Sequence, residues 1–297
     1  MNSLSYIKSV YKPFRITKNR NVTIIESTEG KFVLKKENKD LYTLFNYLEK
    51  RGFTSFPKLV KNFRDKDNLF EYVSEDTIFN EQKLIDLSSV LSSLHNKTVY
   101  FKETNIDNYK EIYENIDNNI KYLSNYYQTI FLKNLNEEYQ SPSNYLYSRN
   151  YFKLREALNF CKNELDNWYS LVSEKEKVRV SVVHNNLTMD HFIENRDNSV
   201  LVSWDNYKID TPVIDFVNLY HNEYLNYDFS SFLENYLTTF ELLEEEKKLL
   251  FILLSLPLFN VIEGTEFEKA KKMHDNILYL YKTEKLIRPY YMDNDNN

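Results

Sequence analysis

Apolar and polar positions follow two rhythms along this chain, and the change from one to the other divides it. From Val22 to Glu26 and from Lys31 to Lys35 apolar residues recur at every second place, with Ser27-Thr-Glu-Gly30 between, which predicts a β-hairpin turning at Gly30. In the second strand Phe32 and Leu34 fall on one face and Val33 and Lys35 on the other, so Lys35 shares a face with an apolar residue. A lysine so placed either reaches a phosphate in a cleft or lays its stem over apolar surface with its head in water. Leu41, Leu44, Phe45 and Leu48 then recur at helical spacing, and Gly52 stands where a glycine ends a helix. Pro57-Lys-Leu-Val60 and Leu69-Phe-Glu-Tyr-Val73, separated by Arg64-Asp-Lys-Asp-Asn68, predict a second hairpin.

From Glu81 onward the period is helical. Leu84, Leu87, Val90, Leu91 and Leu94 lead to His95, and further periodic stretches cover 108–133, 150–172, Val213–Tyr224, Phe229–Phe240, Glu244–Ile262 and Phe267–Leu286. His95 falls at a helix end, where a structural hydrogen-bonding role is expected. The run Glu244-Glu-Glu246 followed by Lys247 and Lys248 reads as a solvated helix face laced by i,i+3 and i,i+4 pairs. The expected architecture is α+β: a small antiparallel β lobe over residues 1–77, a large mainly helical lobe over 78–291, and a disordered tail at 292–297.

One stretch, Val182 to Asp215, breaks the helical rhythm. Asp190-His-Phe-Ile193 and Val200-Leu-Val-Ser-Trp204 flank the turn-forming Asn195-Arg-Asp-Asn198, which predicts a hairpin with a polar loop at each end. His184, Asn185, Asn186, Asp190 and His191 at one strand and Ser203 and Asp205 at the other are gathered at one rim. Phosphoryl transfer needs such a layout, in which a base, a metal-holding amide and a metal-holding carboxylate converge.

Composition narrows the partners. In 297 residues, 42% hydrophobic and 16% aromatic, there is material for a sizeable core. A formal charge of −6 and a pI near 5.6 give no basic field for nucleic acid or an anionic membrane. The N-terminus has no continuous apolar core, and the most apolar run, Leu249 to Ile262, is broken by Ser255, Pro257 and Asn260. A soluble, cytoplasmic protein is expected. The lone Cys161, beside Phe160 in a helical pattern, reads as a buried, inert thiol.

The motifs and their order resemble the aminoglycoside phosphotransferase and choline kinase group, which has the protein-kinase-like two-lobed fold. Val183-His-Asn-Asn-Leu-Thr-Met-Asp-His191 resembles that group's HxDxxxxN catalytic loop. Val202-Ser-Trp-Asp205 with Asp210-Thr-Pro-Val-Ile-Asp215 resembles its I-D-W/F-D/E segment and D-P-x-x-D continuation. Phe32-Val-Leu-Lys35 looks like the lysine-bearing strand, Arg51-Gly-Phe-x-x-x-Pro57 like the stretch after that group's αC helix, and Leu91-x-x-Leu-His95 like the helix that opens the large lobe. The likeness spans about residues 20 to 225 and is nearest the bacterial spore-coat kinase-like branch, which implies a spore-coat association.

Carried onto this chain residue by residue, the resemblance keeps the scaffold and changes the chemistry. His184 stands at the loop-bracing histidine and Asp215 at the aspartate that holds the loop backbone. Asn186 replaces the catalytic aspartate, His191 the metal-binding asparagine and Ser203 the metal-binding aspartate. No glycine occurs between Thr17 and Ile25, where a phosphate loop would lie. An amide cannot accept a proton as a carboxylate does, a loss of roughly 10²–10⁴-fold, and Mg²⁺ prefers hard oxygen ligands. The leading expectation is a pseudokinase, a binding or structural module with Lys35 toward a nucleotide. The alternative is a divergent ATP-dependent phosphotransferase for a small hydroxyl- or amine-bearing substrate, with Asp205, or Asp190, supplying the carboxylate. ATP, Mg²⁺, a small molecule and a protein partner are all compatible with the pattern. The acidic partner of Lys35 stays open among Glu37, Asp40 and Glu49.

Overall fold

The computed structural model describes all residues except 1–2, 20–21, 37–38, 40, 61–66, 77–78, 197, 259–262 and 293–297. Helix α1 (Ser3–Tyr11) and strands β1 (Arg15–Asn19), β2 (Val22–Ser27) and β3 (Gly30–Lys36) open the chain, followed by α2 (Leu41–Lys50) and β4 (Asp67–Glu71). The four strands form one antiparallel sheet in the order β1-β2-β3-β4. Its register sorts the side chains. Ile25 pairs with Phe32 and Leu34 with Leu69, and these close over Ile7 of α1 as a small buried core. The opposite face carries Val22 beside Lys35 and Ile24 beside Val33, so strand alternation alone carries Lys35 away from that core.

The large lobe contains α3 (Asn80–Thr98), β5 (Tyr100–Glu103), α4 (Ile106–Leu135), α5 (Pro142–Val172), β6 (Lys177–Val183), β7 (Phe192–Ile193), β8 (Val200–Leu201) and β9 (Lys208–Asp210). It continues with α6 (Val213–Glu223), α7 (Ser230–Thr239), α8 (Glu244–Ser255), α9 (Glu266–Ile287) and the short α10 (Pro289–Met292). The long helices α4 and α5 begin on Asn105 and Ser141, whose side chains accept N–H bonds three residues on. β5, β6 and β9 form a small sheet, and β7 and β8 form the central hairpin. Both lobes draw on one continuous core. Phe45 of α2 stacks on Phe56 at 4.4 Å, and Phe45 and Phe53 both meet Trp204 edge-on at 6.0 and 6.4 Å.

Several elements differ from the sequence reading. α1 and β1 were hidden because Arg15-Ile-Thr-Lys-Asn19 keeps only Ile16 partly covered, too little to show an alternation. The second hairpin is reduced to β4 and a single bridge, Leu59 to Phe70, and much of its expected turn lies outside the described residues. α8 stops at Ser255, two residues before Pro257, and 259–262 lie outside the described residues. The expected tail begins as the end of α10, and 293–297 lie outside the described residues.

The acidic run corrects the solvated-face reading in part: the expected i,i+4 pair of exposed Glu244 with Lys248 forms at 3.8 Å, but Glu246 turns inward. Glu246 is 5% exposed and holds Arg179 through Nε at 2.9 Å and through Nη2, while the Leu243 amide caps the same carboxylate at 2.9 Å. Lys248 turns inward to Glu164 at 2.9 Å, which also takes the Tyr291 hydroxyl. Charged residues in sequence say nothing of a partner 67 positions away. Glu246→Ala leaves the largely covered Arg179 guanidinium with the Glu241 carbonyl but no carboxylate, and leaves the Leu243 amide uncapped, so a loss of about 2 kcal/mol is expected in urea denaturation. A solvated glutamate would cost under about 0.5 kcal/mol.

Candidate active site cleft

The loop that joins β6 to β7 hangs on one carboxylate. Asp215, in the first turn of α6, is fully buried and accepts the amides of His184 at 2.7 Å and Asn185 at 2.6 Å. His95 Nε2 lies 3.2 Å from it, and His95 Nδ1 lies 2.6 Å from the Tyr236 hydroxyl. With Tyr236 held protonated by burial, its O–H donates to Nδ1 and the Nε2–H donates to Asp215. Burial pushes the Asp215 carboxyl up, but the hydrogen bond from His95, the electrostatic pull of the His95 and His184 rings and the Asn185 amide outweigh it and hold the carboxyl below its ordinary value. Two amides can converge because Asn185 turns through φ 55°, a left-handed conformation that asparagine tolerates.

His184, also buried, is kept neutral by desolvation. Its Nε2–H donates to the Val202 carbonyl at 2.8 Å and its ring meets Trp204 edge-on at 4.9 Å, which ties the loop to the strand that carries Ser203. His191 donates from Nδ1 to the Asn186 carbonyl at 2.6 Å, leaving Nε2 as its lone-pair nitrogen. The Val202 amide returns to the His191 carbonyl at 2.9 Å, so Asn186, His191 and Ser203 stand on one bonded frame. Ser203 has φ 68° and ψ 50°, a left-handed conformation costly for any side chain but glycine's hydrogen.

Across from this frame, Lys35 reaches down from β3 and its Nζ meets Asp205 Oδ2 at 2.6 Å, the two side chains being 15% and 40% exposed. Lys39 follows with a bond to the Tyr207 carbonyl at 3.1 Å and its ammonium over the Tyr207 ring. Asp205 is thus an acidic partner that the structure gives Lys35. Glu49 lies exposed at the end of α2, and Glu37 and Asp40 lie outside the described residues.

Between the lobes lies a cleft of about 240 Å³. Val22, Ile24, Val33 and Lys35 form its roof, Ile193, Val202, Ser203 and Trp204 its floor, and Leu41 and Phe70 its back. Glu71, Tyr72 and Val73 form its edge. The Tyr72 amide bonds the Lys31 carbonyl, so by antiparallel alternation Glu71 turns its backbone groups away from β3. The Glu71 amide goes to Lys58, while the Glu71 carbonyl and the Val73 amide have no partner among the described residues. One acceptor and one donor at this edge are thus left without a protein partner among the described residues. No spacing of side chains announces them, because they belong to the backbone.

The donor set does not fit Mg²⁺. Ser203 offers a neutral hydroxyl, His191 an imidazole nitrogen, and Asp205 a carboxylate already bonded to Lys35. Among the described residues no three His, Cys, Asp or Glu side chains converge as a metal centre would require. Asp190, the other carboxylate the sequence offered, is exposed.

A group the sequence reading missed sits where the lobe connection crosses the hairpin. Glu194 is buried and one of its carboxylate oxygens has no partner among the described residues, while its backbone carbonyl takes the Asp76 amide at 2.9 Å. Burial, a shared hydrogen bond with Asp86 and the charges of Asp86 and Glu75 push its carboxyl up to about 7, against a smaller opposing pull from Lys83.

No protein-family model matches the chain, and no curated protein matches it in sequence. Solved structures do match in fold. An aminoglycoside phosphotransferase from Alicyclobacillus acidocaldarius, 8% identical, aligns over 96% of this chain and 93% of its own with a TM-score of 0.66. The AMP-bound complex of a spectinomycin phosphotransferase, 10% identical, aligns over 94% and 96% with a TM-score of 0.51. The fold is therefore the two-lobed protein-kinase-like fold of the aminoglycoside phosphotransferases, as the motif order implied. Cys161 and His95, expected to be structural, are both buried, the thiol against the Ile252 carbonyl. No helix among the described residues is long and apolar enough to cross a membrane.

Two outcomes follow from the geometry. Ser203→Gly relieves the left-handed strain and should raise unfolding free energy by about 0.5–1 kcal/mol in urea, net of the glycine's greater chain entropy; a loss would mean the serine hydroxyl is held. For Glu194, the folded chain keeps the proton up to about 7 while the unfolded chain releases it near its ordinary value, so the native state binds more protons in that window. Stability should fall as pH rises from about 4.5 to about 7, with a slope of up to about 1.4 kcal/mol per pH unit. Glu194→Gln should remove that slope in urea midpoints measured across the range; an unchanged slope would assign it elsewhere.

Proposed function

We propose that this chain is a pseudokinase: a kinase-like binding module whose cleft accepts a nucleotide-type ligand without transferring phosphate. The observation that carries this reading is the contrast within one bonded frame. His184 and Asp215 hold the loop in place by backbone bonds, while the positions that would do the chemistry carry Asn186, His191 and Ser203. Loss of scaffold would suggest a fold in decay, whereas a braced scaffold with the reacting groups exchanged suggests selection for binding.

The cleft edge supports a purine-type ligand. An acceptor carbonyl at Glu71 and a donor amide at Val73 complement a ring nitrogen beside an exocyclic amine, between apolar walls from both lobes. The AMP bound by the spectinomycin phosphotransferase of the same fold agrees with this reading. The resemblance to the spore-coat kinase-like branch adds a location, a bacterial spore coat or the cytoplasm that assembles it, with a coat protein as the partner. The competing reading, a divergent phosphotransferase, requires Asp205 to leave Lys35 and hold a metal with Ser203 and His191.

Incubation with γ-labelled ATP, Mg²⁺ or Mn²⁺ and a panel of small alcohols, amino sugars and proteins should give no transfer above that of Lys35→Ala. Restoring the chemistry through Asn186→Asp, His191→Asn and Ser203→Asp together should create metal-dependent ATP turnover, since base assistance by itself is worth roughly 10²–10⁴-fold. Transfer by the natural chain that Lys35→Ala abolishes would overturn the proposal.

A further inference from the structure

The charge balance of the cleft carries the reading of its ligand one step further. Lys35 is the one cation among the described residues that line it, and Asp205 sits 2.6 Å from that ammonium. A polyphosphate approaching Lys35 therefore meets a carboxylate at the same place, and the donor set beside it offers no oxygen-rich seat for a metal to offset the repulsion. Glu71, the other charged residue of the lining, adds negative charge at the edge. Toward the base the situation is reversed. Val22, Ile24, Val33, Phe70 and Val202 offer apolar faces, and the Glu71 carbonyl and Val73 amide at the edge have no protein partner among the described residues. The volume agrees, since about 240 Å³ falls below the roughly 300–1,000 Å³ of pockets that take larger ligands whole.

We infer that the cleft is a metal-independent site for an uncharged purine nucleoside, and that Asp205 is the specificity-determining residue that turns phosphates away by occupying Lys35. This rests on the non-catalytic reading above. The Lys39 bond to the Tyr207 carbonyl assists by fixing the turn that carries Asp205, so two lysines of the small lobe grip that turn. Binding a triphosphate would require breaking the ion pair, whereas a nucleoside leaves it intact.

Calorimetric titration of the full chain with adenosine, AMP and ATP, each with EDTA and with Mg²⁺, tests the inference. Adenosine should bind with the same affinity in both conditions, and ATP at least about tenfold more weakly, the effect of one like charge close to the phosphates. Asp205→Asn should tighten ATP about tenfold and leave adenosine within about twofold, again as the loss of one charge. The comparison of ligands on the natural chain stands even if that variant fails to fold. ATP–Mg²⁺ binding more tightly than adenosine, weaker ATP binding by Asp205→Asn, or no binding of adenosine would each overturn the inference. Measuring label transfer in the same samples separates the two claims: tight ATP–Mg²⁺ binding without transfer defeats this inference alone, and transfer defeats the pseudokinase reading as well.

Discussion

One buried carboxylate organises the junction of this molecule. Asp215 is out of water, yet it stays ionised because two backbone amides and a histidine converge on it, with Tyr236 closing the chain behind that histidine. Each partner comes from a different element: the loop after β6, the end of α3, and α7. Removing the carboxylate would leave two buried amides and a histidine without acceptors at once, and the loop it holds could no longer present Asn186, His191 and Ser203 on a common frame. His184 extends the constraint to the opposite strand through Val202, and Trp204 passes it into the packing of Phe45 and Phe53 beside the small lobe.

This frame carries Asn186, His191 and Ser203, and charge is used between the lobes. Lys35 and Lys39 bond to the turn at Asp205 and Tyr207, and the Leu201 amide bonds the Ser55 carbonyl. Those contacts close the cleft over an apolar, edge-polar space rather than over a cationic one. The proposed nucleoside site follows from an ammonium already paired with a carboxylate beside an apolar cleft.

Much of the fold was legible because it depends on local rhythm. The hairpin at Gly30 and the helices carrying Leu44, Leu91, Val217 and Tyr279 followed from period 2 and period 3.6. The motif order led to the two-lobed fold that the structure and its matches in fold share. The face of Lys35 was readable from alternation as well. What was not legible depends on distance along the chain. Lys35 and Asp205 are 170 positions apart, Arg179 and Glu246 are 67 apart, and no composition rule pairs them. Helical spacing supplied the acidic run with nearby partners, one of which, Glu244 with Lys248, forms, while at Glu246 tertiary packing overrides them. The polar edge at Glu71 and Val73 was invisible because backbone groups look the same at every residue. Glu194 was missed because its environment, not its type, raises it.

The central claim is that the cleft has kept the frame of a phosphotransferase and lost the seat for its metal. Crystals of the natural chain soaked with Mn²⁺ and a non-hydrolysable ATP analogue, measured at the manganese absorption edge, test it most directly. The account predicts no anomalous peak among Ser203, His191 and Asp205, with Asp205 still bonded to Lys35. A manganese peak there, coordinated by Asp205 and bridging phosphate oxygens, would contradict it.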